Sequence, residues 1–200
     1  EKLDIALKDS EIKTRIDAVK AFRQNSGTRA KTAQGRPHKF AWINKGRGRQ
    51  ILIPTVFSEK REYITAGFFG DDCIINNSSS IVQNPGLEHF AVISSRMHAC
   101  WVQAVAGKLE DRLRYTSTTC FNPFPIPSFT QKNIRDLVRC AEDILLAREA
   151  YFPATIADLY DPQKMPDDLR AAHERNDEVL ERIYIGRRFK NDTERLEKLF

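Results

Sequence analysis

The sequence predicts an α+β fold, with a small mixed sheet and packed helices followed by a helical C-terminal unit. Short runs of β-forming residues, separated by glycine-rich or acidic turns, lie in the first part of the chain. After residue 127 the apolar residues recur at helical spacing instead, and three prolines precede this change. We therefore predict one domain at 1–127 and a helical domain at 128–200.

The N-terminal part predicts one helix and several short strands. Residues 3–24 have helical periodicity, with charges between the apolar positions. Small and polar residues at 25–35 interrupt this pattern, which predicts a mobile loop. The strands are predicted at 39–43, 50–54, 63–69 and 73–75.

The middle of the chain predicts a single helix. Asn84 suits its N-cap and Pro85 its first position, where the missing N–H costs nothing. Gly107 suits the left-handed position after its last turn. His98 and Trp101 lie on the apolar stripe of this helix. We interpret both as core residues rather than catalytic ones.

The C-terminal part predicts further helices. Residues 122–127 must be extended, because three prolines exclude a helix there. Residues 130–148 form an amphipathic pattern, and 153–160 a short helical or irregular piece. Pro166 begins another helix, and Asp192 can cap the last one.

Positive charge is concentrated in the first part of the chain, although the formal net charge is only +5. No acidic residue occurs from Ala18 to Ser58, whereas basic residues are frequent there. Such a stretch attracts a phosphate backbone through counterion release, but a solvated basic loop explains the composition equally well. The residues that we assign to a DNA backbone are Lys39, Arg47, Arg49, Lys60, Arg61 and Arg114.

Several function classes lack their motifs in this chain. No run of about 18 apolar residues exists, so no membrane span is predicted. The four cysteines show no CxxC and no zinc spacing with the histidines, so we expect no metal site or disulfide, and a reducing cytoplasm. GxSxG, HExxH and P-loop motifs do not occur. We therefore expect these residues to hold no catalytic residue and no cofactor, and to catalyse nothing alone.

Two pairs of polar residues are candidates for reading DNA bases. Residues 109–115 are predicted to form a strand, so Glu110 and Arg112 would point to one face. Arginine can donate to guanine and glutamate can accept from cytosine, so the pair could read both bases of a C·G pair. The alternative is a surface salt bridge worth under about 1 kcal/mol. Asn77 and Ser78 form the second pair, with a simple turn as the alternative.

Blocks spread over nearly the whole chain carry a family resemblance. They include IPTVFSEKREYI at 53–64, LEHFAVISSRMH at 87–98, LRYT at 113–116, the exit FNPFPIP at 121–127, and DTERL at 192–196. In this order they resemble single-chain DNA restriction–modification enzymes of the MmeI-like type. Those chains fuse a nuclease, an adenine-N6 methyltransferase, a target recognition domain and a helical C-terminal domain.

The resemblance implies that residues 1–127 recognise a sequence in double-stranded DNA. Glu110 and Arg112 match family positions that set the identity of one base pair, and Asn77 and Ser78 match a second position. The parent chain would be a S-adenosylmethionine-dependent, adenine-specific DNA methyltransferase, with or without restriction activity. Its methyltransferase domain would be the partner of this part of the chain. The exit departs from the family, which more often has tryptophan where Ile126 stands, so its packing stays open.

A function from another class also fits the composition. The chain could be a helical protein-interaction scaffold whose basic face binds an acidic partner or subunit. A steep fall of the binding constant with salt, together with discrimination between DNA sequences, would separate the two functions.

Overall fold

The computed structural model describes residues 2–41 and 48–200 and confirms the α+β fold. The chain divides into two compact units, Glu1–Asn44 and Lys45–Phe200. Both sheets and the long C-terminal helices belong to the second unit. The domain division at 127/128 stays a prediction.

In the first unit, residues 2–41 contain three helices where the sequence predicts one. Asp9 separates the first two, because its carboxylate accepts hydrogen bonds from the N–H groups of Glu11 (2.9 Å) and Ile12 (3.1 Å) and so caps the second helix. The third helix lies inside the segment predicted as a mobile loop. Residues 39–41 are not a strand, and 42–43 lie outside the described residues. The helices are α1 (Lys2–Ala6), α2 (Ser10–Asn25) and α3 (Thr28–Lys31).

The second unit contains two antiparallel sheets, each of three strands among the residues described. The first sheet has the strand order β3-β1-β4, and the second has the order β2-β6-β5. The strands are β1 (Gln50–Pro54), β2 (Val56–Ser58), β3 (Gly67–Phe69), β4 (Ser79–Gln83), β5 (Gly107–Leu109) and β6 (Arg112–Arg114).

Thr55 connects the two sheets. It lies between β1 and β2, where the chain leaves the first sheet and enters the second. Its N–H donates to the carbonyl of Ser78 (2.9 Å), and its carbonyl accepts from the N–H of Tyr115 (2.8 Å). The main chain at Ser78 and at Tyr115 is therefore held to one residue.

The strand predictions were confirmed in part. The strand at 50–54 is correct to the residue. The one at 63–69 is wrong before Gly67, because 63–66 is buried against the helices instead of pairing. Tyr63 donates to Asp177, and the Ala66 carbonyl accepts from Arg148. Residues 73–75 hold a single bridge at Ile74 rather than a strand.

The predicted middle helix is broken into α4 (Leu87–Ile93) and α5 (Arg96–Val105). Ser95 causes the break, since its hydroxyl donates to the Val92 carbonyl (2.6 Å) and accepts from the His98 N–H (3.2 Å), which caps α5. Both ends also differ from the prediction. Gly86 is the N-cap in place of Asn84, and Gly107 begins β5.

The core assignment of His98 and Trp101 is confirmed, because both are buried. The Trp101 indole N–H donates to the Cys120 carbonyl at 3.0 Å. The His98 ring meets Phe124 edge to face, with ring centroids 4.5 Å apart. These contacts lie where α5 packs on a single π-helical turn, Ser117–Phe121.

The C-terminal part is helical, as the sequence predicts. Thr130 begins its first helix by accepting from the Asn133 N–H, and Asn191 rather than Asp192 caps the last. None of the helices in 2–41 and 48–200 combines the length and apolar character needed to cross a bilayer. The helices are α6 (Gln131–Glu149), α7 (Ile156–Leu159), α8 (Asp167–Ile185) and α9 (Asp192–Leu199).

Candidate nucleic-acid interface

Strands β5 and β6 form a tight hairpin. Leu109 pairs with Arg112, which leaves Glu110 and Asp111 as its two-residue turn. Glu110 has a φ of +56°, a backbone conformation that two-residue hairpin turns need and that glycine normally supplies. The prediction of one strand over 109–115 is therefore wrong. Glu110 lies at the tip of the hairpin and not on a strand face beside Arg112.

Glu110 and Arg112 nevertheless contact each other across the turn. An Arg112 Nη2 atom lies 2.8 Å from Glu110 Oε2. The two side chains are 52% and 76% exposed, respectively. The salt bridge that the sequence offered as the alternative is thus present in the structure. An ion pair this exposed contributes under about 1 kcal/mol, so a ligand can replace it at low cost.

The outer face of the second sheet carries two arginines. In β6 the buried Leu113 separates Arg112 from Arg114, so both arginines project from the opposite, exposed face. They lie across from Ser58 and Val56 of β2. We call this surface, together with the turn at Glu110, the hairpin face.

Asn77 and Ser78 lie in an exposed turn directly before β4. Asn76 organises this turn, because its Oδ1 accepts from the N–H (3.0 Å) and the hydroxyl (2.5 Å) of Ser78. The turn offered as the alternative interpretation is therefore observed. The main chain of Ser78 and that of Tyr115, the residue after β6, are both hydrogen-bonded to Thr55, between β1 and β2. Sequence reasoning missed Thr55, which no local motif marks.

The other residues that we assigned to the DNA backbone have varied surroundings. Lys60 is exposed in the turn after β2, and Arg61 is half-buried with a long hydrogen bond to Thr65 (3.4 Å). Arg49 donates to the Pro85 carbonyl (3.3 Å), and its guanidinium lies over the Phe68 ring.

Two of the predicted contacts lie outside the described part of the second unit. Lys39 is exposed in the unit Glu1–Asn44. Arg47 lies outside the described residues. Sequence reasoning also missed Lys108 of β5, which is exposed and pairs with Glu59 at 2.9 Å. Its position next to Gly107, which begins β5, could have indicated an exposed basic residue in the hairpin.

The two buried histidines are uncharged. Burial lowers the pKa of His98 and of His173 to about 3, so both imidazoles are neutral. The four cysteine thiols are free. Within the part of the chain that the structure describes, no three His, Cys, Asp or Glu side chains are grouped so that they could hold a metal ion.

Comparison with known proteins gives consistent matches along the chain. The family model "MmeI, target recognition domain" matches residues 1–128, and "MmeI, C-terminal domain" matches 129–200. DNA methyltransferase A of Bacillus subtilis (strain 168) is 35% identical over 189 residues, which cover 94% of this chain and 21% of that protein.

A solved structure, that of the Type IIL restriction-modification enzyme MmeI in complex with DNA, has the same fold. The TM-score is 0.89 at 32% identity, over 94% of this chain and 25% of that one. The chain thus spans about a fifth of the curated relative and a quarter of the solved one. Two family models that together match every residue decide the assignment: this chain belongs to the MmeI family, with its target recognition and C-terminal domains.

Proposed function

We propose that this chain is the sequence-specific DNA recognition module of an adenine-N6 DNA methyltransferase. The observation that carries the proposal is the likeness, at a TM-score of 0.89, to an enzyme solved in complex with DNA. Catalysis would belong to another part of the polypeptide. That methyltransferase domain would bind S-adenosylmethionine, extrude the target adenine from the duplex and methylate it. Restriction activity, where present, would also lie outside these residues.

The hairpin face supplies the base contacts in this proposal. Arg112 can donate to O6 and N7 of guanine in the major groove, while Glu110 accepts from N4 of the paired cytosine. Their contact at 2.8 Å keeps the guanidinium and the carboxylate adjacent, as the two bases of one pair are. Arg114, Lys60 and Arg61 would bind phosphates and so fix the position of the hairpin on the duplex.

The turn at Asn77 and Ser78 supplies a second contact to DNA. The Ser78 hydroxyl already bonds Asn76, which leaves the Asn77 amide as the group to read a base edge. Because Thr55 holds this turn and the end of β6 through main-chain hydrogen bonds, both contacts would dock with a fixed spacing. Fixed spacing favours recognition of a defined sequence over general attraction to phosphate.

A charge exchange on the hairpin tests the assignment of the base-reading pair. In the full-length enzyme, Glu110→Lys combined with Arg112→Asp should change the preferred base pair at one position of the methylated site. Sequencing of methylated DNA would show the change. Glu59→Lys with Lys108→Glu is the matched control, since it exchanges the charges of a neighbouring exposed pair. An unchanged site in the first variant would reduce Glu110 and Arg112 to a salt bridge.

Salt dependence separates DNA recognition from the alternative of a protein-interaction scaffold. For this chain and a duplex, the logarithm of the binding constant should fall steeply and linearly with the logarithm of salt concentration. One duplex sequence should also bind more tightly than the others at every salt concentration. Equal affinity for all duplexes would contradict sequence recognition.

A further inference from the structure

Leu109 exposes an apolar side chain at the hairpin face. It is the last residue of β5, directly before Glu110, and is 47% exposed. Phe57 and Leu113, on the opposite face of the same sheet, are buried. Isolated exposed leucines are common in proteins, so exposure alone assigns no role to Leu109. Its position on the sheet is what distinguishes it.

The strand register places Leu109 beside Arg112. Leu109 pairs with Arg112 of β6, and Arg112 pairs with Ser58 of β2. Residues that lie opposite each other in an antiparallel pair project from the same side of the sheet, with Cβ atoms about 5 Å apart. Ser58, Arg112 and Leu109 thus form one row across the hairpin face.

This row extends the contact with DNA beyond a single base pair. The major groove admits a two-stranded β-ribbon such as the hairpin of β5 and β6. Successive base pairs are stacked about 3.4 Å apart. A side chain about 5 Å from the arginine that reads a guanine therefore lies over an adjacent base pair.

The apolar character of Leu109 limits what it can recognise there. An isobutyl side chain makes no hydrogen bond, so against polar base atoms it only excludes their water, which is unfavourable. The apolar group on base edges in the major groove is the C5-methyl of thymine. Each base pair contains one pyrimidine, so each offers one C5 position that either carries a methyl group or lacks it.

We propose that Leu109 contacts the pyrimidine C5 position of a base pair adjacent to the one that Glu110 and Arg112 read, and favours a methyl group there. Thymine and 5-methylcytosine both carry this group. The inference rests on the proposed function, to which it adds selection by an apolar contact. It also makes DNA binding sensitive to cytosine methylation at that position.

Base analogues test the contact in the full-length enzyme. Deoxyuridine in place of thymine removes a C5-methyl group, and 5-methylcytosine in place of cytosine adds one. Both leave the hydrogen-bonding groups of the base pair unchanged. Each pyrimidine of the methylated site is replaced in turn, and the Kd is measured by fluorescence anisotropy. At one base pair adjacent to that read by Glu110 and Arg112, the methylated form should bind about fourfold more tightly, as burial of one methyl group predicts.

Three variants assign that difference to Leu109. In Leu109→Ala the methylated and unmethylated duplexes should bind equally. Leu109→Ile retains an apolar side chain that suits a strand, and should keep most of the preference. Leu146→Ala, at a leucine of α6 that is 63% exposed, is the matched control and should keep the fourfold preference.

The outcomes separate this inference from the proposed function. Sequence-specific binding without a methyl preference at either adjacent base pair overturns the role of Leu109 and leaves the proposed function intact. Persistence of the preference in Leu109→Ala has the same consequence. Equal affinity of the wild-type enzyme for all duplexes overturns both.

Discussion

Two arginine–glutamate pairs have the same 2.8 Å hydrogen bond but opposite surroundings. In the helical part, Arg195 and Glu181 are 12% and 0% exposed, and Glu181 also accepts from the Phe189 N–H. In the hairpin, Arg112 and Glu110 face solvent. A desolvated pair cannot lose one partner without leaving a buried charge, whereas an exposed pair exchanges its partner for water. The same chemistry is thus structural in one place and available to a ligand in the other.

The buried pair belongs to a larger polar network. Asp177 of α8 accepts from the Tyr63 hydroxyl (3.0 Å) and from the Arg96 N–H (2.7 Å). The Arg96 guanidinium pairs with Asp192 of α9, which also contacts Arg195. These bonds join the segment after β2 and the start of α5 to α8 and α9. They fix the framework that carries the hairpin.

Removal of the buried carboxylate should have the largest effect on stability. Glu181→Ala leaves Nε and Nη2 of Arg195 and the Phe189 N–H without their acceptor, while Arg195 Nη1 keeps Asp192, and should lower the free energy of unfolding by about 3–5 kcal/mol. Urea denaturation followed by circular dichroism measures the change. Glu178→Ala removes the exposed partner of Arg182 and should cost about 0.5 kcal/mol. Similar losses in both variants would remove the distinction between buried and exposed pairs.

The pH dependence of stability should show a smaller effect, at Asp177. Burial raises its pKa from 3.8 to about 7, although hydrogen bonds from the Arg96 N–H and the Tyr63 hydroxyl act in the opposite direction. The folded protein then retains a proton that the unfolded chain has lost. This group's contribution to stability is present below pH 4 and is lost as pH rises to about 7.

Asp177→Asn isolates this contribution. Between pH 4 and pH 7 the stability of the wild-type protein relative to the variant should fall by about 3 kcal/mol, as free energy of unfolding. His98 and His173, whose lowered pKa values give the opposite trend, are present in both proteins and cancel. Urea denaturation at several pH values provides the data. A difference that does not vary with pH would show that Asp177 is ionised throughout.

The smallest effect is expected at the hairpin tip, and it has the opposite sign. Glu110→Gly relieves the cost of a positive φ in a residue with a Cβ, about 1 kcal/mol, and loses only an exposed ion pair. We expect a net stabilisation of about 0.5 kcal/mol in thermal or urea denaturation. Asp111→Gly, at the turn position without a positive φ, should be slightly destabilising. Equal effects of both substitutions would show that Glu110 is unstrained.

Local patterns predicted the elements that local contacts determine. The strand at 50–54 and the helix α6 agree with the sequence prediction, because alternation and the Thr130 cap are encoded within a few residues. The segment 63–66 has the composition of a strand, but its hydrogen-bond partners lie in helices more than 80 residues away. One of these partners is Arg148 of α6. No local pattern reports such a contact.

Local sequence patterns also predict the candidate site only in part. Exposure of Arg112, Asn77 and Ser78 follows from their polarity. The turn at Glu110 could not be predicted in this way. Glycine or asparagine usually marks a positive φ, and the turn residues here are Glu110 and Asp111. The sequence predicts contact between Glu110 and Arg112 on one strand face, whereas the structure makes this contact across a turn.

The hydrogen bonds of Thr55 have a consequence for how specificity can diversify. They use main-chain atoms alone, so no side chain at 77, 78, 110 or 112 takes part in holding the two segments in register. Replacements at these positions therefore leave the spacing of the segments unchanged. If both segments contact DNA, each position can vary separately, and new target sequences become accessible through single substitutions on a constant backbone.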